Sequence, residues 1–208
     1  MSWYADHVFP HLMDWTMRTP RVRTERTAAL LPASGHVLEI GFGTGLNLPC
    51  YPRAVTRLTA LEPATLLESR VARRIADAAM PVELVRRGAE TLPFENGRFD
   101  CVVSTFTLCT IADARAALCE IRRVLKPDGR FIFLEHGRSD DARTARWQDR
   151  LNPIQRVVGC GCNLNRRIDL LISAGGLGIR QLDRYLLQGV PRVGGELYRG
   201  VAVPADAA

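Results

Sequence analysis

Val37–Leu48 reads VLEIGFGTGLNL, and this stretch decides the fold. It opens with an apolar run that is typical of a strand buried on both faces of a sheet. Gly41, Gly43 and Gly45 follow at once. Because glycine has no Cβ, such a turn bends sharply and brings its backbone close to a ligand. A strand, a glycine turn and then a helix begin a doubly wound nucleotide-binding sheet, so we expect an α/β fold with its ligand beyond this strand.

The spacing of the glycines narrows the class of nucleotide. A dinucleotide fold requires G-x-G-x-x-G, but the third position here is Leu46, which disfavours a nicotinamide oxidoreductase. The pattern G-x-G-x-G preceded by Glu39 resembles motif I of the class I S-adenosylmethionine (SAM) methyltransferases. On this motif alone, a structural turn in another α/β protein remains an alternative. The resemblance implies that SAM is bound by residues of this stretch: Glu39, Gly41, Gly43, Gly45 and Asn47.

An acid ends the next predicted strand, Arg57–Glu62. Glu62 lies 21 residues after Gly41, near the spacing of about 20 that is typical of the carboxylate accepting the ribose hydroxyls. A carboxylate also suits a cationic sulfonium ligand. The alternative is a surface acid at a strand end, but the register with the glycine turn favours ribose binding.

Two further stretches strengthen the resemblance. Gly88–Phe94 reads GAETLPF, and Phe99–Ser104, FDCVVS, is a predicted fourth strand. Together they resemble the adenine-binding loop and strand four of SAM methyltransferases of the methyltransferase-11 type. The resemblance implies that Ala89 and Glu90 lie beside the adenine and that Thr105 faces the methionine part of SAM.

The phrase VLKPDGRFIFLE matches the helix, turn and fifth strand of the same superfamily. It predicts a turn at Lys126–Gly129 and a strand at Arg130–Glu135. Two further predicted strands, Gly178–Leu187 and Glu196–Val203, fit a terminal hairpin. The expected fold is therefore a Rossmann-like, seven-stranded, mostly parallel sheet with helices on both faces and a C-terminal antiparallel hairpin.

Length and composition fit one globular domain. The chain has 208 residues, of which 47% are hydrophobic, and a net charge of +6. We expect one SAM-dependent methyltransferase domain over 1–208, with its SAM-binding core at 35–136. Helices are expected in 1–34, and substrate-side helices and terminal strands in 137–208. The helices of 1–34 either form a lid over the ligand or pad the sheet edge.

The expected partner is a small-molecule acceptor. Lys126 is the only lysine, arginine supplies the other basic charges, and no nucleic-acid-binding motif accompanies them, so no nucleic-acid partner is expected. No apolar run reaches the ~18 residues of a membrane span. The N-terminus carries Asp6 and Asp14 and lacks the apolar region of a signal peptide. We expect a cytoplasmic monomer or homodimer with reduced thiols.

The cysteines show no metal-binding spacing. None of the six forms a C-x-x-C pair, so we predict neither a metal site nor a disulfide framework. Cys160 and Cys162 form a C-x-C pair that admits two interpretations. It binds a soft metal or metalloid, or holds a methyl group transiently, which makes Cys162 a catalytic candidate. Alternatively, both cysteines pack as small hydrophobes, which is the interpretation we favour.

Three C-terminal phrases, LEH, WQDRLNP and GCNLNR, resemble a narrower group, the bacterial relatives of the alkyl-thiol S-methyltransferases of animals. That resemblance implies a thiol acceptor. A thiol with a pKa near 8.5 is only a few per cent thiolate at neutral pH, so a base or a nearby cation would assist it. We expect His136 to face the pocket as the base and Arg166 to favour a thiolate there. Alternatively, His136 is a hydrogen-bonding residue at a strand end and Arg166 caps or pairs on a helix.

The sequence thus predicts S-methylation of a small thiol or sulfide with SAM as the cofactor. C-, O- or N-methylation of a quinone, lipid or amine is the nearest rival, because the SAM motifs are the same in those enzymes. Methylation of a metalloid is a further alternative. A SAM-binding partner protein without catalytic activity is the alternative from another class.

Overall fold

The computed structural model describes residues 3–205, and its centre is a seven-stranded sheet in the order β3-β2-β1-β4-β5-β7-β6. The strands are β1 (Gly35–Ile40), β2 (Val55–Leu61), β3 (Val82–Val85), β4 (Phe99–Thr105), β5 (Leu125–His136), β6 (Leu177–Leu186) and β7 (Glu196–Pro204). The strands β1 to β5 are parallel, and β7 is antiparallel to both β5 and β6. The predicted fold class, including the C-terminal antiparallel hairpin, is confirmed.

Helices cover both faces of this sheet. They are α1 (Trp3–His7), α2 (Phe9–Met17), α3 (Pro20–Leu30), α4 (Glu68–Ala76), α5 (Ala114–Val124), α6 (Ala142–Val158), α7 (Ile168–Ala174) and α8 (Arg192–Gly195). Alternate strand residues point to opposite faces. On β5, Phe131 and Phe133 join the core that contains α5 and α7, whereas Ile132 joins the core that contains α3 and α4. No helix within residues 3–205 is long and apolar enough to span a bilayer.

The connection from β1 to β2 differs from the expectation. The sequence predicted a helix after the glycine turn, but the structure has only a short 3-10 helix, Leu48–Cys50. Pro49 lies in the first turn of this helix, where a missing N–H is tolerated, whereas Pro52 just after it lacks the N–H that a longer helix would need.

The start of β5 also differs. Lys126–Gly129 was predicted as a turn before the strand, yet β5 already begins at Leu125. The register of its pairing with β4 shifts here. Leu125 pairs with Phe99, whereas the next paired residue of β5, Arg130, pairs with Cys101. Lys126–Gly129, the residues of the predicted turn, have no partner in this register, and regular pairing begins at Arg130, where the strand was predicted to begin.

Candidate functional site

A cavity of about 820 Å³ opens at the carboxyl ends of β1, β2 and β4. This is where parallel α/β sheets bind their ligands. Seven of the nine residues predicted to bind SAM line it, namely Glu39, Gly41, Gly43, Glu62, Ala89, Glu90 and Thr105. Gly45 and Asn47 do not line it.

The glycine turn forms one wall of this cavity, which we call its floor, where the backbone of Gly41 and Gly43 carries no side chains. Gly41 has φ +66° and Gly43 has φ +58°, values that L side chains rarely adopt. A Cβ on Gly41 would lie 2.2 Å from Oγ1 of Thr107, so this position tolerates only glycine. A Cβ on Gly43 would instead project into open space, with only a carbonyl oxygen at 3.9 Å. A ligand can therefore approach the backbone at Gly43 closely.

Glu62 is held at the rim of this floor. Its Oε2 accepts a hydrogen bond from the backbone N–H of Gly43 at 2.8 Å, and its Oε1 accepts one from that of Ala64 at 3.1 Å. The side chain is buried, and burial raises the pKa of its carboxyl group. Each carboxylate oxygen still has a free lone pair for a hydroxyl donor. The geometry thus fits the ribose-binding role that the spacing predicted.

A buried polar network lies behind the floor. Glu39 accepts hydrogen bonds from Tyr51 at 2.7 Å and from Asn47 at 2.9 Å. Burial raises the pKa of Glu39 to about 7. Asn47 is 1% exposed and also donates to Oγ1 of Thr105 at 2.9 Å. Asn47 therefore supports cavity-lining residues from beneath instead of lining the cavity itself.

Arg26 is a site residue that the sequence analysis did not identify. It lies on α3, is 6% exposed, and lines the cavity. Its Nη1 donates to Asn47 and to Thr105, each at 2.8 Å, whereas its buried Nε has no hydrogen-bond partner among the described residues. A guanidinium is positively charged at any physiological pH, so the part of the cavity beside Arg26 suits an anionic group. The pattern of apolar residues in 20–30 did not indicate that Arg26 would point into the protein.

The N-terminal helices form part of the cavity wall. Phe9, Pro10, Met13 and Met17 of α2 line it with apolar surface. Asp14, on the same helix, is fixed by three partners on the core: Thr44 at 2.6 Å, Arg74 at 2.6 Å and Arg70 at 2.5 Å. Burial opposes ionisation, but Arg74, Thr44 and Arg70 outweigh it and lower the pKa of Asp14 to about 2.

The predicted catalytic residues occupy a different position from the one expected. His136, Arg166 and Cys162 do not line the cavity, so the expectation that His136 and Arg166 face the pocket is wrong. The β4–α5 loop, residues 106–113, presents Thr107 and Thr110 to the cavity. Arg166 donates instead to two backbone carbonyl oxygens of this loop, on Leu108 and Ile111. Arg166 therefore fixes the loop.

His136 and Cys162 contact each other and Cys109, which we call the Cys109–His136–Cys162 cluster. Nε2 of His136 lies 2.9 Å from Sγ of Cys162, which lies 3.8 Å from Sγ of Cys109. The contact with Cys109 and burial raise the pKa of the Cys162 thiol. Burial lowers the pKa of His136, but its contact with Cys162 outweighs burial and raises it. The C-x-C pair is split, because Cys160 lines the cavity and Cys162 does not.

The residues at the cavity fit SAM in their donors and shape. A glycine floor open at Gly43, an acid at the ribose position and the guanidinium of Arg26 in the cavity lining match a ribose, a sulfonium and an α-carboxylate. Ala89 and Glu90 lie on the cavity wall where the adenine is expected. These features agree with the cofactor that the motifs predicted.

Comparison with known proteins gives consistent matches. Residues 38–133 match the family described as methyltransferase domain. Human thiol S-methyltransferase TMT1B is 36% identical over 143 residues, covering 66% of this chain and 58% of the relative. Phosphatidylethanolamine N-methyltransferase of Cereibacter sphaeroides is 30% identical over 137 residues, covering 64% of this chain and 67% of the relative. The chain thus spans less than two thirds of the length of the thiol S-methyltransferases that it matches.

A solved structure shares the fold over most of the chain. Burkholderia thailandensis 1,6-didemethyltoxoflavin-N1-methyltransferase, solved with 1,6-didemethyltoxoflavin and S-adenosylhomocysteine bound, has a TM-score of 0.67 at 20% identity. The match covers 94% of this chain and 83% of that one. At this identity the likeness establishes the architecture alone.

Proposed function

Because the chain belongs to the class I SAM-dependent methyltransferases of the methyltransferase-11 type, with SAM as the family cofactor, we propose that it methylates the sulfur of a small thiol or sulfide. The observation that carries the proposal is the cavity itself. Its floor is made of the SAM motif residues, and its remaining wall is largely apolar. The similarity to thiol S-methyltransferases supports the choice of sulfur.

Different residues of the cavity bind different parts of SAM. Glu62 accepts the ribose hydroxyls, Ala89 and Glu90 flank the adenine, and Gly43 allows close backbone approach. Arg26, oriented by Asn47 and Thr105, binds the carboxylate of the methionine part. When bound, SAM supplies an electrophilic methyl group with a good leaving group.

The apolar wall positions the acceptor and excludes water. It combines α2, through Met13 and Met17, with Phe106 and Ile111 of the β4–α5 loop. In-line displacement at carbon needs the nucleophile held close to the methyl group and on its axis, and most of the rate enhancement comes from that positioning. The acceptor reacts as its thiolate, which is strongly nucleophilic, so a thiol releases its proton to solvent first. The new sulfur–methyl bond forms as the methyl–sulfonium bond of SAM breaks and S-adenosylhomocysteine leaves. We therefore assign acceptor positioning to this wall, and no step to His136, Arg166 or Cys162.

N-methylation of a lipid amine is the second candidate. The observation in its favour is the similarity to a phosphatidylethanolamine N-methyltransferase, of which the chain covers 67%. The apolar wall would equally accommodate an acyl chain. A panel of acceptors separates the two candidates.

The test measures S-adenosylhomocysteine release with hydrogen sulfide, methanethiol, hexanethiol, phosphatidylethanolamine vesicles and a quinol, each against a control with SAM alone. We expect saturable turnover with at least one thiol and none with the amine or the quinol. Glu62→Gln should raise the KM for SAM, whereas the matched variant Glu83→Gln, at an exposed position on β3, should not. Turnover confined to the amine or the quinol would contradict S-methylation.

A further inference from the structure

The Cys109–His136–Cys162 cluster has no part in the proposed methyl transfer. Its members come from three separate segments: the β4–α5 loop, the end of β5 and the α6–α7 loop, residues 159–167. Their sulfur and nitrogen atoms all lie within 4.8 Å of one another. Three segments that are distant in the sequence thus bring together three side chains that are potential ligands for a soft cation.

The distances fit a tetrahedral cation. The two Sγ atoms are 3.8 Å apart. Two thiolates bound to one tetrahedral Zn²⁺ at ~2.3 Å are about 3.8 Å apart, whereas a disulfide requires about 2.05 Å. The 2.9 Å between Nε2 of His136 and Sγ of Cys162 is shorter than the separation of about 3.6 Å in such a site, so the imidazole must move back slightly to admit the ion.

The donor set selects the kind of metal. Thiolate sulfur and imidazole nitrogen favour zinc over the hard cations Mg²⁺ and Ca²⁺, which take oxygen ligands. Two cysteines and one histidine are also a known set of three protein ligands for Zn²⁺, with one position left for an external ligand. We propose that Cys109, His136 and Cys162 bind a single Zn²⁺ ion. This reverses the expectation drawn from cysteine spacing, which detects only ligands that are close in sequence.

The segments that carry the ligands are already fixed to each other. The backbone N–H and the side-chain amide of Asn163 both donate to the carbonyl oxygen of Cys109, each at 2.9 Å. The N–H of Leu164 donates to Asn152 of α6 at 2.8 Å. Arg166 donates to the carbonyl oxygen of Ile111 at 2.7 Å. These bonds hold the two cysteines in place without a metal, so little ordering accompanies metal binding.

The site adjoins the wall of the cavity. Thr107, Thr110 and Ile111 of the loop that carries Cys109 line the cavity, and so does Cys160, two residues before Cys162. A zinc ion would therefore fasten the two loops of this wall to the end of β5. Its role is to hold the wall in position, and it needs no contact with SAM.

The test is zinc binding by the purified, fully reduced protein, measured by competition with a chromophoric chelator. We expect one Zn²⁺ per chain in the wild type. Cys109→Ser and Cys162→Ser should each weaken binding by more than the ~10- to 100-fold that is typical of losing an outer-shell partner. Cys119→Ser, at an exposed cysteine on α5, is the matched control and should bind as the wild type does.

A second measurement needs no variant. Co²⁺ bound to the wild type should give thiolate-to-metal charge-transfer absorption and the intense visible bands of a tetrahedral site, both displaced by Zn²⁺. Zinc should also raise the Tm of the wild type but not that of the double variant Cys109→Ser/Cys162→Ser. The proposal is overturned if the wild type binds no more zinc than the double variant, or if bound Co²⁺ shows only octahedral oxygen ligation.

Discussion

At the scale of residues, the site depends on a few buried polar side chains that hydrogen bonds to neighbouring residues hold in place. Glu62 was predictable, because the distance of an acid from a glycine turn is a property of the sequence. Arg26 was not, because its role depends on α3 passing over the carboxyl ends of β1 and β4, where it meets Asn47 and Thr105. The misplacement of His136 has the same origin. Its position at a strand end was predictable, but the loop between it and the cavity was not.

Glu62→Gln tests the ribose assignment by direct binding. Replacing the carboxylate weakens its charge-assisted hydrogen bonds, each worth about 1.5–3 kcal/mol, so we expect the Kd for SAM to rise at least ~10-fold. Isothermal titration calorimetry measures the change. An unaltered Kd would exclude Glu62 from the ribose site.

Glu39 gives a prediction about pH. Burial raises its pKa to about 7 in the folded protein, from the ordinary glutamate value of 4.5. Between these values the folded state binds more protons than the unfolded state, so stability falls as pH rises through this window. Relative to Glu39→Gln, the free energy of unfolding of the wild type should fall by about 3 kcal/mol between pH 4.5 and 8. Parallel pH profiles for both proteins, from urea unfolding, would contradict the buried, protonated carboxyl group.

At the scale of elements, α2 connects the N-terminal region to the SAM-binding core. Its apolar residues line the cavity, and Asp14 is the point of attachment through Arg70 and Arg74. The sequence predicted the helices but left the lid and padding interpretations open, since an apolar stripe does not reveal what covers it. We propose that α2 covers bound SAM, and the position of α2 in the cavity lining supports this.

Asp14→Asn should loosen this attachment. We expect a loss of about 2 kcal/mol in the free energy of unfolding and faster dissociation of SAM, because two charge-assisted contacts are weakened. Stopped-flow displacement of SAM measures the rate. Asp77→Asn is the control, since Asp77 forms an exposed ion pair with Arg73 on α4 and should change neither quantity. Equal dissociation rates for Asp14→Asn and the wild type would contradict a closing role for α2.

Periodicity and turn residues predicted the sheet but not the details of its connections. The buried strands, the glycine turn and the terminal hairpin follow from local patterns, which is why the fold class was predictable. The 3-10 turn after β1 and the pairing of Leu125 with β4 ahead of the predicted strand depend on contacts with neighbouring segments. The Cys109–His136–Cys162 cluster depends on three segments meeting in space, and no local pattern encodes that meeting.

At the scale of the whole molecule, the N-terminal helices, the core and the terminal strands are joined by contacts that cross the chain. Glu25 of α3 accepts a hydrogen bond from Tyr185 of β6, and Arg199 of β7 lies 3.5 Å from the same carboxylate. We therefore propose that residues 1–208 form one domain. Calorimetry should show one transition whose calorimetric and van't Hoff enthalpies agree. Two separated transitions would contradict this proposal.

The central claim is transfer of the methyl group of SAM to the sulfur of a small thiol. The most direct measurement follows an isotopically labelled methyl group from SAM into product, with hexanethiol as the acceptor and mass spectrometry as the readout. We predict labelled methyl hexyl sulfide and S-adenosylhomocysteine in equal amounts, with both reduced in Glu62→Gln at SAM concentrations below KM. Tight SAM binding without labelled sulfide from hexanethiol, methanethiol or hydrogen sulfide would contradict the claim.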